Sequence, residues 1–190
     1  VIRDLNIKLK YVDLGGGFGI KYNKKDKEVN LNNYAKLVYN FKKKLNCNII
    51  FEPGRSLVGN TGILVSKIQY IKKGSNKNFI IIDAGMNDFM RTALYDVNHN
   101  IVPIIKTNKM NKVPVEFVGP ICETTCKFVK YKKYQKVKEG DFVAITDVGA
   151  YGSSLSSNYN TKPLIAEILA SKKKFKIIRK KQDLLKLINS

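Results

Sequence analysis

The chain has 190 residues, of which 44% are hydrophobic, and it carries a formal net charge of +20. The apolar content excludes a disordered chain, and the lack of an 18-residue apolar run excludes a membrane-spanning helix, so we expect one soluble domain or parts of two. Only four of the 35 basic residues are arginine, and the lysines are spread along the chain. This distribution favours a solvated lysine surface over a nucleic-acid-binding face.

The first sixty residues predict a strand, a helix and a second strand. Residues 9–14 form a short apolar run that ends at Gly15-Gly16-Gly17, and residues 48–51 form another that ends at Glu52-Pro53-Gly54-Arg55. Between them, Asn30 can cap a helix whose apolar residues recur at three- and four-residue spacing: Leu31, Tyr34, Leu37, Val38, Phe41 and Leu45. Because ligands lie at the carboxyl ends of parallel strands, we expect two candidate site loops side by side.

Beyond Gly62 the sequence changes to short apolar runs separated by Gly, Asn and Pro, which predict an all-β domain. The predicted strands lie within residues 63–74, 78–83, 100–105, 113–119, 141–146 and 163–170. No long helical stripe interrupts them before residues 182–188, which predict a short helix near the end of the chain.

Each candidate site has a simpler structural alternative. The loop GGGFG (residues 15–19) can cradle a phosphate or form a tight turn, and its spacing matches neither a dinucleotide fingerprint nor a P-loop. Residues 52–55, EPGR, can hold a ligand with both charges or form a salt-bridged turn.

The chain has three cysteines, an odd number, and shows no signal-peptide pattern. Both features favour free thiols in a reducing compartment such as the cytoplasm. Cys122 and Cys126 have CxxxC spacing, but there is no second pair and His99 is the only histidine, so we expect no zinc. Cys122 stands beside Glu123 and can transfer a proton, or it can be an ordinary buried thiol.

Five motifs occur in one order along the chain: YVDLGGGFGI, FEPGRSLVGNTGILV, IDAGMNDFMRTALYD, VGPICETTC and DVGAYGSSLSSNYNTKP. In this order they closely resemble the C-terminal half of the diaminopimelate decarboxylases, a branch of the alanine-racemase-like, pyridoxal-phosphate-dependent decarboxylases. The resemblance implies the end of a cofactor-binding (β/α)8 barrel in residues 1–60. Residues 61–190 would then be a β-rich C-terminal domain with substrate-binding and dimer-interface loops. It also implies a lyase that converts meso-2,6-diaminopimelate to L-lysine, the last step of lysine biosynthesis.

The resemblance assigns pyridoxal 5′-phosphate as the cofactor. Gly17 would give a backbone amide to its phosphate, and Glu52 would keep its pyridine nitrogen protonated, which makes the ring a better electron sink. The remaining residues implied for cofactor binding are Pro53, Gly54, Arg55 and Tyr151.

The resemblance also assigns a substrate site. Arg91 and Tyr95 would hold the far end of the substrate, where a planar guanidinium recognises a carboxylate. Glu123 would bind the distal ammonium group, while Arg55 and Tyr151 would contact the substrate as well as the cofactor. Cys122 would protonate the α-carbon after carbon dioxide leaves. In the family this cysteine loop comes from the neighbouring subunit, so we expect a homodimer.

Three departures limit the transfer of these roles. No lysine of the chain stands in the family's Schiff-base motif, so we expect a fragment that lacks the N-terminal half and is inactive alone. Cys126 replaces a usual aspartate, and Thr92 replaces a usual proline. Three alternatives therefore stay open: a related decarboxylase for ornithine, arginine or carboxynorspermidine, a silent truncated homologue that only dimerises, and a nucleic-acid-binding protein.

Overall fold

The computed structural model describes residues 7–22 and 26–189, and it begins with a strand–helix–strand unit. β1 (Tyr11–Asp13) and β2 (Asn48–Ile50) pair in parallel, and α1 (Leu31–Leu45) connects them. Parallel strands need such a crossover, so the predicted βαβ unit is confirmed. Both strands are shorter than the apolar runs that predicted them.

The sequence fixes both ends of α1. The side chain of Asn30 accepts a hydrogen bond from the backbone amide of Asn33 at 3.0 Å, and Asn46 adopts the left-handed conformation that ends many helices. Three lysines at 42–44 occupy the last turn, where a positive charge interacts favourably with the helix dipole.

The apolar stripe of α1 is present but uncovered by the described residues. No residue of the helix is buried, and the side chains of Leu31 and Leu37 are 66% and 69% exposed. Tyr34 and Val38 line an open groove of about 620 Å³, together with Phe51 beyond β2. An amphipathic stripe of this kind normally faces a core.

After β2 the chain forms three short helices and eight strands. Their bounds are α2 (Gly54–Val58), β3 (Leu64–Lys72), β4 (Asn78–Ile82), α3 (Arg91–Tyr95), β5 (Ile101–Pro103), β6 (Val115–Val118), β7 (Lys127–Tyr131), β8 (Phe142–Ile145), β9 (Glu167–Ser171), β10 (Lys174–Arg179) and α4 (Leu184–Ile188). Strands β5, β8, β3, β4, β6 and β7 form one sheet in that order, in which β4 and β6 are parallel and the other pairs antiparallel.

The core lies on one face of this sheet. Alternate residues of β3 are buried over its first half, as expected for a strand with one face on a core. The residues of the sheet with the least exposed side chains are Ile68, Ile80, Ile82, Phe117, Val143 and Ile145. The two edge strands also approach each other, because the hydroxyl of Tyr131 in β7 accepts a hydrogen bond from the amide of Ile101 in β5 at 2.7 Å. The sheet is therefore curled towards closure.

The strands β7 and β10 were not predicted from the sequence, because lysines interrupt their apolar residues. In the apolar run 163–170, the strand begins only at Glu167, the first residue of β9. β9 pairs with β10 in a separate antiparallel hairpin. The fold class itself, α/β followed by an all-β part, is confirmed. Among the helices described, none is both long enough and apolar enough to cross a membrane.

Candidate functional site

The loops that follow β1 and β2 are in direct contact. The backbone amide of Glu52 donates to the carbonyl oxygen of Gly15 at 2.8 Å. A Cβ on Gly16 would lie 2.3 Å from the carbonyl oxygen of Glu52, so no side chain fits at this position. Both loops stand at the carboxyl ends of parallel strands, where α/β proteins bind ligands.

The glycine loop needs glycine for its backbone as well as for its contacts. Gly15 and Gly17 have φ angles of 66° and 83°, in the left-handed region that side chains disfavour. The carboxylate of Asp13 accepts from the amide of Gly15 at 2.7 Å and fixes the start of the loop. Gly17 is exposed, so its backbone is accessible to a ligand.

The segment 52–55 does not form the salt-bridged turn that its sequence allowed. Among the described residues, no ion pair joins Glu52 to Arg55. The chain instead turns through a hydrogen bond from the amide of Gly54 to the carbonyl oxygen of Glu52 at 2.8 Å, and α2 begins there. The carboxylate of Glu52 is exposed beside the glycine loop.

A second close backbone contact brings Tyr151 to this turn. The amide of Gly149 donates to the carbonyl oxygen of Gly59 at 3.0 Å, and a Cβ on Gly149 would lie 1.9 Å from the carbonyl oxygen of Val58. Only glycine permits this approach. As a result, the hydroxyl of Tyr151 lies 4.0 Å from the point where a Cβ on Gly54 would stand.

Tyr151 itself has a φ angle of 60°, which costs a residue with a side chain roughly 1–2 kcal/mol. Strain of this kind often occurs at functional sites. The ring of Tyr151 also lies 5.6 Å from the guanidinium carbon of Arg91. One side chain therefore lies near both Gly54 and Arg91.

Arg91 is a buried cation surrounded by aromatic rings. Arg91 is the first residue of α3 and is 3% exposed. Its guanidinium carbon lies 5.6 Å from the ring of Tyr95 and 5.9 Å from that of Tyr22. Among the described residues, no carboxylate is within ion-pairing distance of it. Aromatic faces compensate part of the cost of burying a charge, and an anion would compensate more.

His99 and Tyr22 complete this cluster, although neither was predicted as a site residue. The Nε of Arg91 donates to Nε2 of His99 at 3.5 Å, and its Nη2 donates to the hydroxyl of Tyr22 at 3.3 Å. Burial lowers the pKa of His99, and the nearby Arg91 lowers it further, so the imidazole is neutral at pH 7. The sequence signal was slight: a lone histidine eight positions after an arginine.

Cys122 and Glu123 lie on a loop closed by its own backbone. The amide of Gly119 donates to the carbonyl oxygen of Cys126 at 2.9 Å, and the amide of Cys126 donates to that of Glu123 at 3.0 Å. Cys126 is buried and its Sγ accepts from the amide of Met86 at 3.4 Å, whereas Cys122 and Glu123 are exposed. All three thiols of the chain, including that of Cys47, are free.

The structure thus brings together most of the residues expected at the site, but not all of them. Tyr151 lies near Gly54 and near Arg91, and Arg91 lies near Tyr95. In the part of the chain that is described, no hydrogen bond, ion pair or ring contact joins Cys122 or Glu123 to those residues. The same part of the chain contains no group of three or more His, Cys, Asp or Glu residues that could hold a metal ion.

A family model described as the C-terminal sheet domain of pyridoxal-dependent decarboxylases matches residues 11–149, from β1 to the close contact at Gly149. The chain belongs to this decarboxylase family. The match confirms the resemblance that the five motifs carried.

Similar proteins agree with this assignment. The diaminopimelate decarboxylase of Aquifex aeolicus is 42% identical over 175 residues, which are 92% of this chain and 41% of the relative. That of Helicobacter pylori is 41% identical over 180 residues, 95% of this chain and 44% of the relative. A crystal structure of the Helicobacter pylori enzyme complexed with L-lysine superposes with a TM-score of 0.86 at 40% identity, covering 99% of this chain and 46% of that one. The chain therefore spans less than half the length of the relatives that it matches.

The site has features that fit the cofactor of this decarboxylase family. A phosphate needs backbone amides that it can approach closely, and the loop 15–17 has left-handed glycines and no side chain where Gly16 meets Glu52. A protonated pyridine nitrogen needs a carboxylate, and that of Glu52 is exposed and not paired with Arg55. Tyr151 lies near Gly54, in the turn that follows Glu52.

Proposed function

We propose that this chain is the C-terminal part of a diaminopimelate decarboxylase, which uses pyridoxal 5′-phosphate to convert meso-2,6-diaminopimelate to L-lysine. The observation that carries the proposal is the position of Tyr151, with its hydroxyl beside Gly54 and its ring against Arg91. A single substrate molecule could then reach from a cofactor at the paired loops to Arg91, where its carboxylate would bind. The names of the relatives support the choice of substrate.

The cofactor, when bound, supplies the electron sink for the bond that breaks when carbon dioxide leaves. Gly17 would donate its amide to the phosphate, and Glu52 would hold a proton on the pyridine nitrogen. Pro53 and Gly54 shape the turn that follows Glu52. Arg55 comes next in the chain and Tyr151 lies near Gly54, and each would contact both the cofactor and the substrate.

The substrate has an ammonium and a carboxylate group at its distal end, so it needs one group of each charge to bind it. Arg91 is buried without a carboxylate partner among the described residues, and a guanidinium binds a carboxylate in a bidentate manner. Tyr95 lies against the same guanidinium. Glu123 would bind the ammonium group. Ornithine has no distal carboxylate and would not need Arg91.

Cys122 and Glu123 would serve the active site of a second subunit in a homodimer. Both side chains are exposed on a loop that is held by the buried Cys126. Among the described residues, no hydrogen bond, ion pair or ring contact joins either of them to the other site residues of its own chain. An exposed thiol held in this way can donate a proton to the substrate's α-carbon. We also propose a cytoplasmic location, as expected for free thiols and lysine biosynthesis.

The test uses the complete enzyme, in which this chain is joined to the barrel strands that carry the cofactor-binding lysine. Within this chain, the proposed boundary between the barrel part and the β-rich C-terminal domain lies between residues 60 and 61. The uncovered stripe of α1 is the surface that the rest of the barrel would cover. Carbon dioxide and L-lysine are measured with meso-diaminopimelate and with ornithine as substrates. We expect a strong preference for meso-diaminopimelate.

Two variants connect this activity to the site. Arg91→Lys keeps the charge but removes the fork, so substrate binding should weaken by roughly 1.5–3 kcal/mol while the cofactor absorbance is unaltered. Glu52→Gln should retain the cofactor and slow the chemical step severely. A preference for ornithine would instead support the related decarboxylases. A cofactor-loaded enzyme without any decarboxylation would support the silent homologue.

A further inference from the structure

The guanidinium of Arg91 is held on two sides. Its Nε donates to Nε2 of His99 at 3.5 Å, and its Nη2 donates to the hydroxyl of Tyr22 at 3.3 Å. A guanidinium has five N–H donors, so donors on the two terminal nitrogens stay free for a bidentate anion. The orientation of that free edge depends on the two bonds that hold the other side.

The tautomer of His99 follows from its second hydrogen bond. Nδ1 lies 3.0 Å from the carbonyl oxygen of Thr146, which can only accept, so Nδ1 carries the proton. Nε2 then has a lone pair and accepts from Arg91. The imidazole cannot rotate freely, because the rings of Phe89 and Tyr22 lie against it with centroids 4.6 Å away.

The burial of His99 and the groups around it together favour this neutral form. Burial is the main cause of its lowered pKa and the positive charge of Arg91 adds to it, whereas the bond to Thr146 and the negative charge of Asp147 act in the opposite direction. Protonation would remove the acceptor and place a second cation against Arg91. The lowered pKa agrees with the hydrogen bonds that His99 makes in the buried cluster.

We propose that His99, as a neutral Nδ1–H tautomer, is a positioning residue that orients the guanidinium of Arg91 towards the distal carboxylate of the substrate. This rests on the proposed function, in which Arg91 binds that carboxylate. His99 contacts neither the substrate nor the cofactor in this role. It acts by accepting one hydrogen bond, so an acceptor at the position of Nε2 is what the site requires.

Two substitutions separate the acceptor from the rest of the side chain. His99→Gln places an amide oxygen near the position of Nε2, so it can accept from Arg91 while the bond to Thr146 is lost. His99→Asn is shorter, so its amide can donate to Thr146 but does not reach Arg91. Both replace the ring by an amide and lose its packing against Phe89 and Tyr22. A merely structural role would therefore affect the two variants similarly.

The binding probes are L-lysine and cadaverine, measured on the complete enzyme. L-lysine keeps the distal carboxylate of the substrate, whereas cadaverine is the same diamine without it. We expect His99→Asn to raise the Kd of L-lysine about tenfold and His99→Gln to retain most of the affinity. The Kd of cadaverine should change little in either variant. Equal loss in both variants, or equal loss for both probes, would overturn the positioning role.

The parent enzyme gives a readout that does not depend on activity. In nitrogen-15 NMR of the complete enzyme, the ring-nitrogen signals of His99 are those that are absent from the His99→Gln variant. We expect the signature of an Nδ1–H tautomer that protonates at a lower pH than a free histidine. An Nε2–H tautomer, or protonation at or above the pH at which a free histidine protonates, would contradict the inference.

The Arg91→Lys variant distinguishes failure of this inference from failure of the proposed function. If Arg91→Lys binds L-lysine as tightly as the parent, the proposed function has lost its substrate-binding arginine. If Arg91→Lys binds L-lysine weakly while both His99 variants bind it like the parent, the proposed function stands and the positioning role is wrong.

Discussion

The hydroxyl of Tyr131 joins the two edge strands of the six-stranded sheet, because it accepts from the amide of Ile101 at 2.7 Å and lies 3.4 Å from the carbonyl oxygen of the same residue. An edge strand otherwise presents unpaired backbone groups. Ile101 is 2% exposed, so water does not replace this partner. The bond therefore satisfies a buried amide and keeps the sheet curled.

Tyr131→Phe should lower the free energy of unfolding by about 1–3 kcal/mol, since it leaves a buried donor unsatisfied and changes little else. Urea denaturation of the two chains measures the difference. Tyr70→Phe is the matched control, because Tyr70 is exposed on β3 and its loss of a hydroxyl should change the stability by less than about 0.5 kcal/mol. Equal effects of the two substitutions would show that the edge-to-edge bond contributes nothing.

Gly16→Ala should disrupt the contact between the loops that follow β1 and β2, the proposed cofactor site. The new Cβ would lie 2.3 Å from the carbonyl oxygen of Glu52, which is backbone and cannot move without displacing the turn at Gly54. We expect cofactor affinity in the complete enzyme to fall at least tenfold. Gly19→Ala is the control in the same loop, since nothing lies within 4 Å of its Cβ position. If both variants bind the cofactor with comparable affinity, the close approach at Gly16 is not needed for cofactor binding.

Thr92→Val should raise the free energy of unfolding by about 1 kcal/mol. Thr92 is 5% exposed and its hydroxyl has no hydrogen-bond partner among the residues that the structure describes, so the valine keeps the shape and removes an unsatisfied polar group. Thermal unfolding measures the gain. The control is Thr61→Val, whose exposed hydroxyl donates to the carbonyl oxygen of Val58 at 2.8 Å and which should not gain stability. A loss of stability in Thr92→Val would contradict the prediction.

Local sequence patterns predicted the βαβ unit well, because their causes are local. Asn30 caps α1 through its own side chain, and loops that contain glycine follow both β1 and β2. The strands β7 and β10 could not be predicted in this way. Lys127 and Lys174 begin them with long charged side chains, and pairing with β6 and with β9 is what makes these segments extended.

The candidate site shows the same limit over longer distances. The loops at Gly16 and Glu52 were expected to be neighbours, because strand order alone places them together. That Tyr151 would reach Gly54 depends on the close approach of Gly149 to Val58, about ninety positions away in the sequence, and no local pattern indicates it. His99 was considered only as a metal ligand, since its hydrogen bonds to Arg91 and Thr146 exist only in the folded chain.

The lowered pKa of His99 predicts how stability depends on pH. Below about pH 6.5 the unfolded chain binds a proton that the folded chain does not, so the free energy of unfolding should decrease as the pH falls from 6.5 towards the folded pKa. Denaturation at pH 7.5, 6.5 and 5.5 measures this. His99→Gln lacks this group, so its stability should fall less between pH 6.5 and 5.5 than that of the parent. Burial raises the pKa of Asp88, whose contribution has the opposite sign but is the same in both chains and cancels in the difference between them.

Cys122→Ala in the complete enzyme tests the proposed proton donor. The α-carbon would then be protonated slowly or not at the correct position, so we expect less L-lysine than carbon dioxide, with unaltered cofactor absorbance. The control is Cys126→Ala. Cys126 is buried and its Sγ accepts from Met86, so its loss should lower stability by about 1 kcal/mol and leave the ratio of the products near one. A changed ratio in Cys126→Ala would mean that the wrong cysteine was chosen.

Mixing two variants that are each impaired in forming L-lysine tests whether Cys122 serves the partner subunit. One variant is Cys122→Ala, and the other lacks the lysine that binds the cofactor. If the loop crosses the dimer interface, each mixed dimer has one site with an intact lysine and an intact thiol. Random pairing makes half of the dimers mixed, so activity should recover to about a quarter of the parent value.

Mass spectrometry confirms that mixed dimers form. If they form without any recovery, then Cys122 either acts in its own subunit or does not donate the proton. A recovered activity with equal amounts of L-lysine and carbon dioxide would support both the dimer and the role of the thiol.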